Sequence, residues 1–381
     1  MKLLVIHNKY QVLGGEDIAV ENEIKFLEKH FEIRTILFSN REKNIVSLIS
    51  SLIFNRNLKI MKKIKSEIFF NKPDYVYIHN TWFMVPLSLF KFLRSQNIIT
   101  IIKLHNFRYD CTRSYSVKKH IFNKEFCNAC GMKMKKYKYF NKYFNNSYLK
   151  SFLIIKFGKK LYKILSFKNI KLFVLTSFHK KHLIQLGFDK NKIYIQENFI
   201  EIKEKSINEE KGSYIVYAGR ISDEKGVEEV IKSFNFSKLK DFKLKIIGTG
   251  PELKKLMNKY SSENLEFYGF LPNSETLDII YNSAAVVTAT KLFEGQPTLL
   301  CEASLMGVPS IFPNTGGISE FFPQNYELTF EQFNYNDLIQ KLNLIKDTEY
   351  TVNIGQKNKE FINQYLNEKR LIQNFTKAID E

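Results

Sequence analysis

Short apolar runs alternate along this chain with longer segments whose apolar positions recur at helical spacing. Lys2-Leu3-Leu4-Val5-Ile6-His7-Asn8 reads as a first buried strand. It leads through Gly14-Gly15-Glu16-Asp17 into an amphipathic helix with Ile18, Val20, Ile24, Phe26 and Leu27 on its apolar side. The same beat returns at His79-Asn80-Thr81-Trp82 and Lys103-Leu104-His105-Asn106-Phe107-Arg108, each after an apolar strand, and at the strand 172–176 with a helix at 179–186. Farther on, Tyr214–Ala218 and Ile246-Ile247 are strands that end in glycine turns before helices. Strand-helix alternation of this kind predicts parallel sheets covered on both faces. The 381 residues suffice for two domains, each with its own core. The polar stretch 201–212 marks the boundary, which divides the chain into 1–200, 201–353 and a C-terminal helical segment 354–381. There is no internal repeat and no low-complexity linker.

Three glycine-punctuated segments carry candidate chemistry. In Glu294-Gly295-Gln296-Pro297-Thr298-Leu299-Leu300-Cys301-Glu302, two carboxylates eight positions apart bracket a turn that opens an apolar helix. Free N–H groups at a helix start, together with the helix dipole, favour a bound anion. Glu294 would sit at the loop tip and Glu302 about two turns farther along, within reach of a ribose beside that anion. In Tyr217-Ala218-Gly219-Arg220-Ile221-Ser222-Asp223-Glu224-Lys225-Gly226, a strand gives way to a turn with two cations five residues apart. The planar fork of Arg and the point charge of Lys suit a diphosphate without requiring a metal. Ile246-Ile247-Gly248-Thr249-Gly250-Pro251 is a third strand-to-glycine turn. No Asp-x-Asp metal motif occurs, and the first glycine turn lacks the spaced fingerprint of nicotinamide enzymes.

Taken together these segments resemble the family-4 retaining glycosyltransferases (glycosyltransferase group 1), in particular a bacterial surface-polysaccharide branch. Gly316-Gly317 followed by Glu320 fits the same pattern. The resemblance implies an α/β chain of GT-B architecture, with two Rossmann-like domains whose parallel sheets face each other across a cleft. It implies transfer of a sugar from a nucleotide-sugar, such as a UDP- or GDP-sugar, to a saccharide or lipid-linked saccharide, with retention and without a catalytic metal. The donor is then expected on the C-terminal domain and the acceptor on the N-terminal one, with 354–381 crossing back to the first. By the same resemblance Arg220 and Lys225 hold the leaving diphosphate, Glu294 contacts the donor sugar, and His105 occupies the position of an active-site histidine. Gly15, Gly219, Gly248, Phe270, Gly295, Thr298, Leu299 and Glu302 would line the donor, Glu302 through the ribose hydroxyls and Thr298 and Leu299 through backbone N–H groups. Many relatives carry Phe-Gly after the first Glu-Gly. Gln296-Pro297 stands here instead, so sugar preference does not carry over.

Charge adds a second theme. The formal net charge is +19, and the window Phe126–Phe188 holds 14 Lys, no Asp or Glu and no Arg, interleaved with aromatics. Lysines among aromatic side chains suit an anionic membrane surface. They also suit nucleic acid, although the absence of Arg in the window weakens bidentate readout. Background composition rich in Lys, Asn, Ile, Phe and Tyr is the third explanation. The segment Asn44–Lys65 makes a weaker version of the same case, and reads rather as a helix packed on the N-terminal sheet with a basic outer face. No apolar run is long enough to span a bilayer and no signal peptide is read, so the expected location is cytoplasmic, with a peripheral position on the inner membrane face.

Cys127-x-x-Cys130, with Cys111 and His120 upstream, could supply a structural zinc or remain free thiols. Cys301 reads as a packed small hydrophobe. Two other classes stay open: a sugar-nucleotide epimerase of double-Rossmann shape, and a basic nucleic-acid-binding protein without catalytic function. The first does not need the basic surface. The second leaves the carboxylate pair and the two cations without a purpose.

Overall fold

A computed structural model of the chain describes residues 1–9, 15–39, 57–81, 84–107, 109–110, 147–202 and 210–381. The cysteines and histidine at 111, 120, 127 and 130, the first third of the lysine window, much of 44–65, Trp82, Arg108 and most of the 201–212 stretch lie outside the described residues. The chain is α/β and divides into two compact units: Met1–Phe199 with Leu371–Glu381, and Ile200–Arg370.

The first unit contains β1 (Lys2–Lys9), α1 (Gly15–Glu28), β2 (Glu32–Ser39), α2 (Leu58–Asn71), β3 (Tyr75–Asn80), α3 (Ser88–Ser95), β4 (Ile99–Leu104), α4 (Tyr148–Leu165), β5 (Ile170–Val174), α5 (Ser177–Gln185) and β6 (Ile193–Ile195). The six strands pair in parallel in the order β2-β1-β3-β4-β5-β6. The strand order reverses between β1 and β3, and ligands of open parallel sheets gather beyond the strand C-termini at such a reversal. His7 and Asn8 close β1 and His79 and Asn80 close β3, so this edge carries the unit's polar side chains. Local capping follows the sequence: Asn57, Ser147 and Thr176 each accept a backbone N–H at the start of α2, α4 and α5.

The second unit contains β7 (Gly212–Ala218), α6 (Val227–Phe236), β8 (Lys243–Ile247), α7 (Leu253–Lys259), β9 (Leu265–Gly269), α8 (Asn273–Tyr281), β10 (Ser283–Val287), α9 (Thr298–Leu305), β11 (Ser310–Asn314), β12 (Thr329–Glu331), α10 (Tyr335–Leu344) and α11 (Thr348–Tyr365). Its sheet order is β12-β11-β10-β7-β8-β9, all parallel, with the reversal between β7 and β10. Two apolar clusters cover this sheet. One contains Ile215, Tyr217, Val230, Ile231, Leu244 and Ile246. The other contains Val216, Val286, Leu300, Ala303, Phe312 and Phe321.

The C-terminal segment departs from the sequence expectation that 354–381 crosses as one piece. Only the last helix, α12 (Glu368–Asp380), packs on the first unit. Its Leu371, Phe375, Ala378 and Ile379 join Leu3, Val5, Tyr77 and Phe173 in that unit's core, each large side chain worth roughly 1.5–3 kcal/mol when fully buried. Lys171 Nζ and the Tyr75 hydroxyl donate to carbonyls at its C-terminal end. By contrast α11 stays with the second unit, because Ile354 and Ile362 are buried in its two clusters. Amphipathicity alone marks both segments as helices but does not say which sheet receives each.

Candidate active site

In the second unit the loops after β7, β8, β10 and β11 converge at the strand reversal. Gly219 and Gly248 close neighbouring strands: Gly219 N–H donates to the Ile247 carbonyl at 2.9 Å and Gly248 N–H to that of Gly269 at 2.7 Å. Beyond Gly219, Ile221 N–H donates to the Thr249 carbonyl at 2.9 Å, and the Tyr217 hydroxyl donates to the Arg220 carbonyl at 2.9 Å. Arg220 is thereby held by its backbone while its side chain stays exposed.

Lys225 reaches across to the loop after β10. Its Nζ lies 2.6 Å from Glu294 Oε1, and the Thr290 hydroxyl donates to the same oxygen at 2.9 Å. Both partners are partly exposed, with side chains 32% and 26% accessible, so the pair is open to exchange with a ligand. Lys291 ties the two loops a second time. Its backbone N–H donates to the Glu224 carbonyl at 2.9 Å, and its Nζ sits 2.9 Å from both Asp223 and Glu229. The loop after β11 supports Glu294 from behind. Gly317 N–H donates to the Glu294 carbonyl at 2.9 Å, and a Cβ on Gly316 would stand 2.2 Å from that oxygen. A side chain cannot be accommodated there, which explains the glycine at 316.

Glu294 therefore occupies a loop, and α9 begins four residues later at Thr298. Pro297 provides no side-chain cap, so the first-turn N–H groups of Thr298 and Leu299 have no acceptor within the helix. Glu302 falls just past the first turn of α9, nearer its start than the two-turn expectation counted from Glu294. It is 5% exposed. Burial raises its pKa to about 7, against a hydrogen bond with Asn273 that lowers it. Cys301 is fully buried, and burial pushes its thiol well up. Phe270 follows β9 and is 68% exposed, a free aromatic face at the same sheet edge. The second unit thus gathers Gly219, Arg220, Lys225, Gly248, Glu294, Gly295 and the start of α9 at one end of its sheet.

The first unit builds its own polar edge. His7 Nε2 donates to Asp17 Oδ1 at 2.9 Å, and Asn80 Nδ2 donates to the Asn8 carbonyl at 2.9 Å. His79 Nδ1 stands 3.1 Å from His105 Nε2, with the two rings stacked at 5.4 Å between centroids. Burial is the main reason both imidazoles are held well below the ordinary histidine range; the Lys103 charge and neighbouring histidines add to it. Both are therefore neutral at physiological pH. A pocket at this edge is lined by Glu16, His79, Asn80, Thr81, His105 and Asn106 among others. Asn106 Nδ2 donates to Glu16 at 3.3 Å. Gly15 is exposed at the first position of α1.

Beneath this edge lies a buried polar cluster that periodicity did not reveal. Lys103 Nζ is 2.6 Å from Glu23 Oε2, the Tyr77 hydroxyl donates to Glu23 Oε1 at 2.7 Å, and Lys103 also donates to the Glu197 carbonyl at 3.2 Å. The available signal was a lysine inside the apolar strand Ile99–Leu104. Farther along, the Tyr109 hydroxyl pairs with His179 Nε2 at 2.7 Å and His182 Nε2 donates to Asp110 at 3.0 Å. These two pairs fasten the chain just after His105 to α5. Burial, with a smaller effect of His182, lowers the His179 pKa to about 3. Among the described residues no cluster of His, Cys, Asp or Glu has the form of a metal site.

The family match falls on the second unit, while the likeness to solved structures extends over the whole chain. Residues 198–363 match the family model described as "Glycosyl transferases group 1". That match covers almost the whole of the second unit. The amylovoran biosynthesis glycosyltransferase AmsD of Erwinia amylovora is 26% identical over 149 residues, which are 37% of this chain and 42% of AmsD. The chain thus spans less than half the length of that relative. Among solved structures, Anabaena Alr3699/HepE in complex with UDP and glucose superposes with a TM-score of 0.65 at 14% identity, over 100% of this chain and 99% of that one. WaaG, a glycosyltransferase involved in lipopolysaccharide biosynthesis, gives 0.63 at 11% identity over 95% of each chain. At these identities the structural likeness establishes the fold, which is that of GT-B glycosyltransferases.

Proposed function

We propose that this chain is a retaining glycosyltransferase that moves a sugar from a nucleotide-sugar to a saccharide or lipid-linked saccharide acceptor in surface-polysaccharide assembly. The observation that carries the reading is the convergence of Arg220, Lys225 and Glu294 on adjacent loops at the reversal between β7 and β10, with α9 starting beside them. In this reading residues 201–353 contain the donor-binding domain and 1–200 the acceptor-binding one. Arg220 and Lys225 stabilise the negative charge that grows on the departing diphosphate, an electrostatic role that needs no metal. Gly219 and Gly248 let backbone approach the phosphates, the N–H groups of Thr298 and Leu299 meet them, and Gly295 leaves room beside Glu294. Glu302 accepts from the ribose hydroxyls, and Phe270 offers its face to the base. The bond from the anomeric carbon to the diphosphate oxygen breaks. The acceptor oxygen bonds to the same face of that carbon, and its proton passes to the departing phosphate. Configuration is retained. On the first unit His105, with Gly15 nearby on α1, contributes to substrate binding.

Relatives of the right chemistry support this reading: AmsD is named for amylovoran biosynthesis, and HepE was solved with UDP and glucose. An anionic membrane surface is the proposed partner of the basic face, and the protein is placed at the inner side of the cell membrane. Supporting this, α2 exposes Leu58, Phe69 and Phe70 beside Lys59, Lys62, Lys63 and Lys65, and α4 exposes Tyr148, Leu149 and Phe152 beside Lys150 and Lys156. No described helix is long and apolar enough to cross a membrane. Purified protein should sediment with vesicles containing anionic lipid and come off in salt. Equal binding to neutral vesicles, or none, would point to compositional bias. The activity itself is tested with a panel of UDP- and GDP-sugars, followed by NMR of the product in excess chelator. Retention and full turnover are expected. An inverted anomeric centre, or activity restored only by magnesium or manganese, would overturn the mechanism.

A further inference from the structure

We propose that His79 is a positioning residue that fixes the proton of His105 on Nδ1, so that His105 presents an N–H donor to a substrate oxygen. The inference rests on the glycosyl-transfer reading for that substrate, while the tautomer itself rests on the geometry and burial of the two rings. His79 closes β3 at the strand reversal and is 6% exposed; its ring packs on Tyr77 at 4.3 Å and on His105 at 5.4 Å. Its Nδ1 stands 3.1 Å from His105 Nε2. His105, the residue after β4, is only partly buried and lines the pocket.

Two neutral imidazoles in contact through one nitrogen each share a single proton at that contact. If His105 Nε2 carried it, His79 would hold its own proton on Nε2. That atom is buried and meets no hydrogen-bond partner among the described residues. A buried N–H without an acceptor is the costlier and rarer orphan. If His79 Nδ1 carries the proton instead, His79 Nε2 is a bare lone pair, and its N–H is satisfied by His105 Nε2. His105 must then keep its proton on Nδ1, the nitrogen that remains for the pocket. An isolated neutral histidine side chain in water prefers the opposite tautomer, with the proton on Nε2. The arrangement therefore imposes a choice that His105 would not make alone, and it makes His105 a donor and not a base.

The full chain labelled with 15N-histidine provides the test, because long-range 1H–15N correlations separate the two tautomers. His105, assigned by its loss in His105→Gln, should show the Nδ1–H pattern in the wild-type chain. In His79→Phe it should revert to Nε2–H. In His79→Gln, whose side-chain amide can still donate to Nε2, it should stay Nδ1–H. In transfer assays His79→Phe should lower kcat about tenfold with the donor KM within twofold, and His79→Gln should recover most of that loss. An Nε2–H pattern for His105 in the wild-type chain overturns the proposal, even if His79→Phe fails to fold. So does a tautomer that His79→Phe leaves unchanged. If no nucleotide-sugar is turned over by a wild-type chain that shows Nδ1–H, the glycosyl-transfer reading fails and the positioning role stands.

Discussion

Each unit ends its sheet in a candidate site, yet the two are built by opposite means. In the second unit the work is done by backbone: glycine turns let loops approach within hydrogen-bonding distance, and partly exposed charges stand on them. Lys225 and Glu294 are each about a quarter to a third accessible. In the first unit the site rests on side chains paired out of water: His7 with Asp17, His79 with His105, Lys103 with Glu23. Exposed pairs exchange partners readily and contribute little to stability. Buried pairs are costly to break, because the survivor is left unpaired. The comparison assigns ligand-responsive charge to the second unit and fixed, buried side-chain pairing to the first.

The largest effect expected from this contrast is on the exposed cations. Arg220→Ala combined with Lys225→Ala should lower kcat/KM about a thousandfold, from two charge-assisted contacts of roughly 2 kcal/mol each. Thermal stability should scarcely move. A large fall in Tm would mean that these charges hold the fold, and would erase the distinction between the two sites.

Glu302 is the exception within the second unit, a buried carboxyl with its pKa raised to about 7. Its sign runs opposite to that of a salt-bridged acid. The folded state holds the proton more tightly than the unfolded one, so its contribution is full below about 4.5 and is lost as pH rises through about 7. Across that window the wild-type chain should lose about 3 kcal/mol relative to Glu302→Gln. If the ionised carboxylate accepts from a ribose, UDP should bind about tenfold more tightly at pH 8 than at pH 6, beyond any change seen in Glu302→Gln. Calorimetry on both chains checks this, and parallel pH profiles would remove Glu302 from the site.

Backbone dependence predicts a smaller, purely structural effect. Gly226 adopts φ +68°, and a Cβ there would stand 2.0 Å from the Ala289 carbonyl oxygen. Gly226→Ala should destabilise the second unit by about 2 kcal/mol, visible as faster hydrogen exchange in β7 and β10. Unchanged exchange would show that the loops are less tightly joined than their geometry implies.

How far the sequence carries differs between the sites for the same reason. Gly219-Arg220…Lys225 and Glu294…Glu302 are contiguous motifs whose turn chemistry is local, so their grouping at one sheet edge could be anticipated. The Lys103–Glu23–Tyr77 cluster joins residues up to 80 positions apart, and only the odd lysine in an apolar strand hinted at it. Glu23 lies on the buried side of α1 beside Val20 and Ile24, a place that periodicity reserves for apolar residues. The division of the C-terminal helices was equally hidden, because α11 and α12 are both amphipathic and only contact decides their sheets. The clasp formed by Lys291 was missed because a lysine three residues before Glu294 looks like any surface charge.

That clasp gives the smallest and most discriminating test. Lys291 Nζ bridges Asp223 and Glu229 at 2.9 Å, while its own N–H holds the Glu224 carbonyl. Lys291→Met removes the charge contacts and leaves the backbone bond. If backbone alone positions the cationic loop, donor KM should not change. If the side chain contributes, the loop relaxes by about 1 kcal/mol and donor KM rises about fivefold with kcat nearly constant, since binding and not the transition state loses the contact. Lys291→Arg keeps a cation between the two carboxylates and should restore KM. We expect the rise and its rescue: Asp223 stands two residues from Lys225, and releasing it frees the segment that carries the cation. A fall in kcat at unchanged KM would instead place Lys291 among the groups that act only in the transition state.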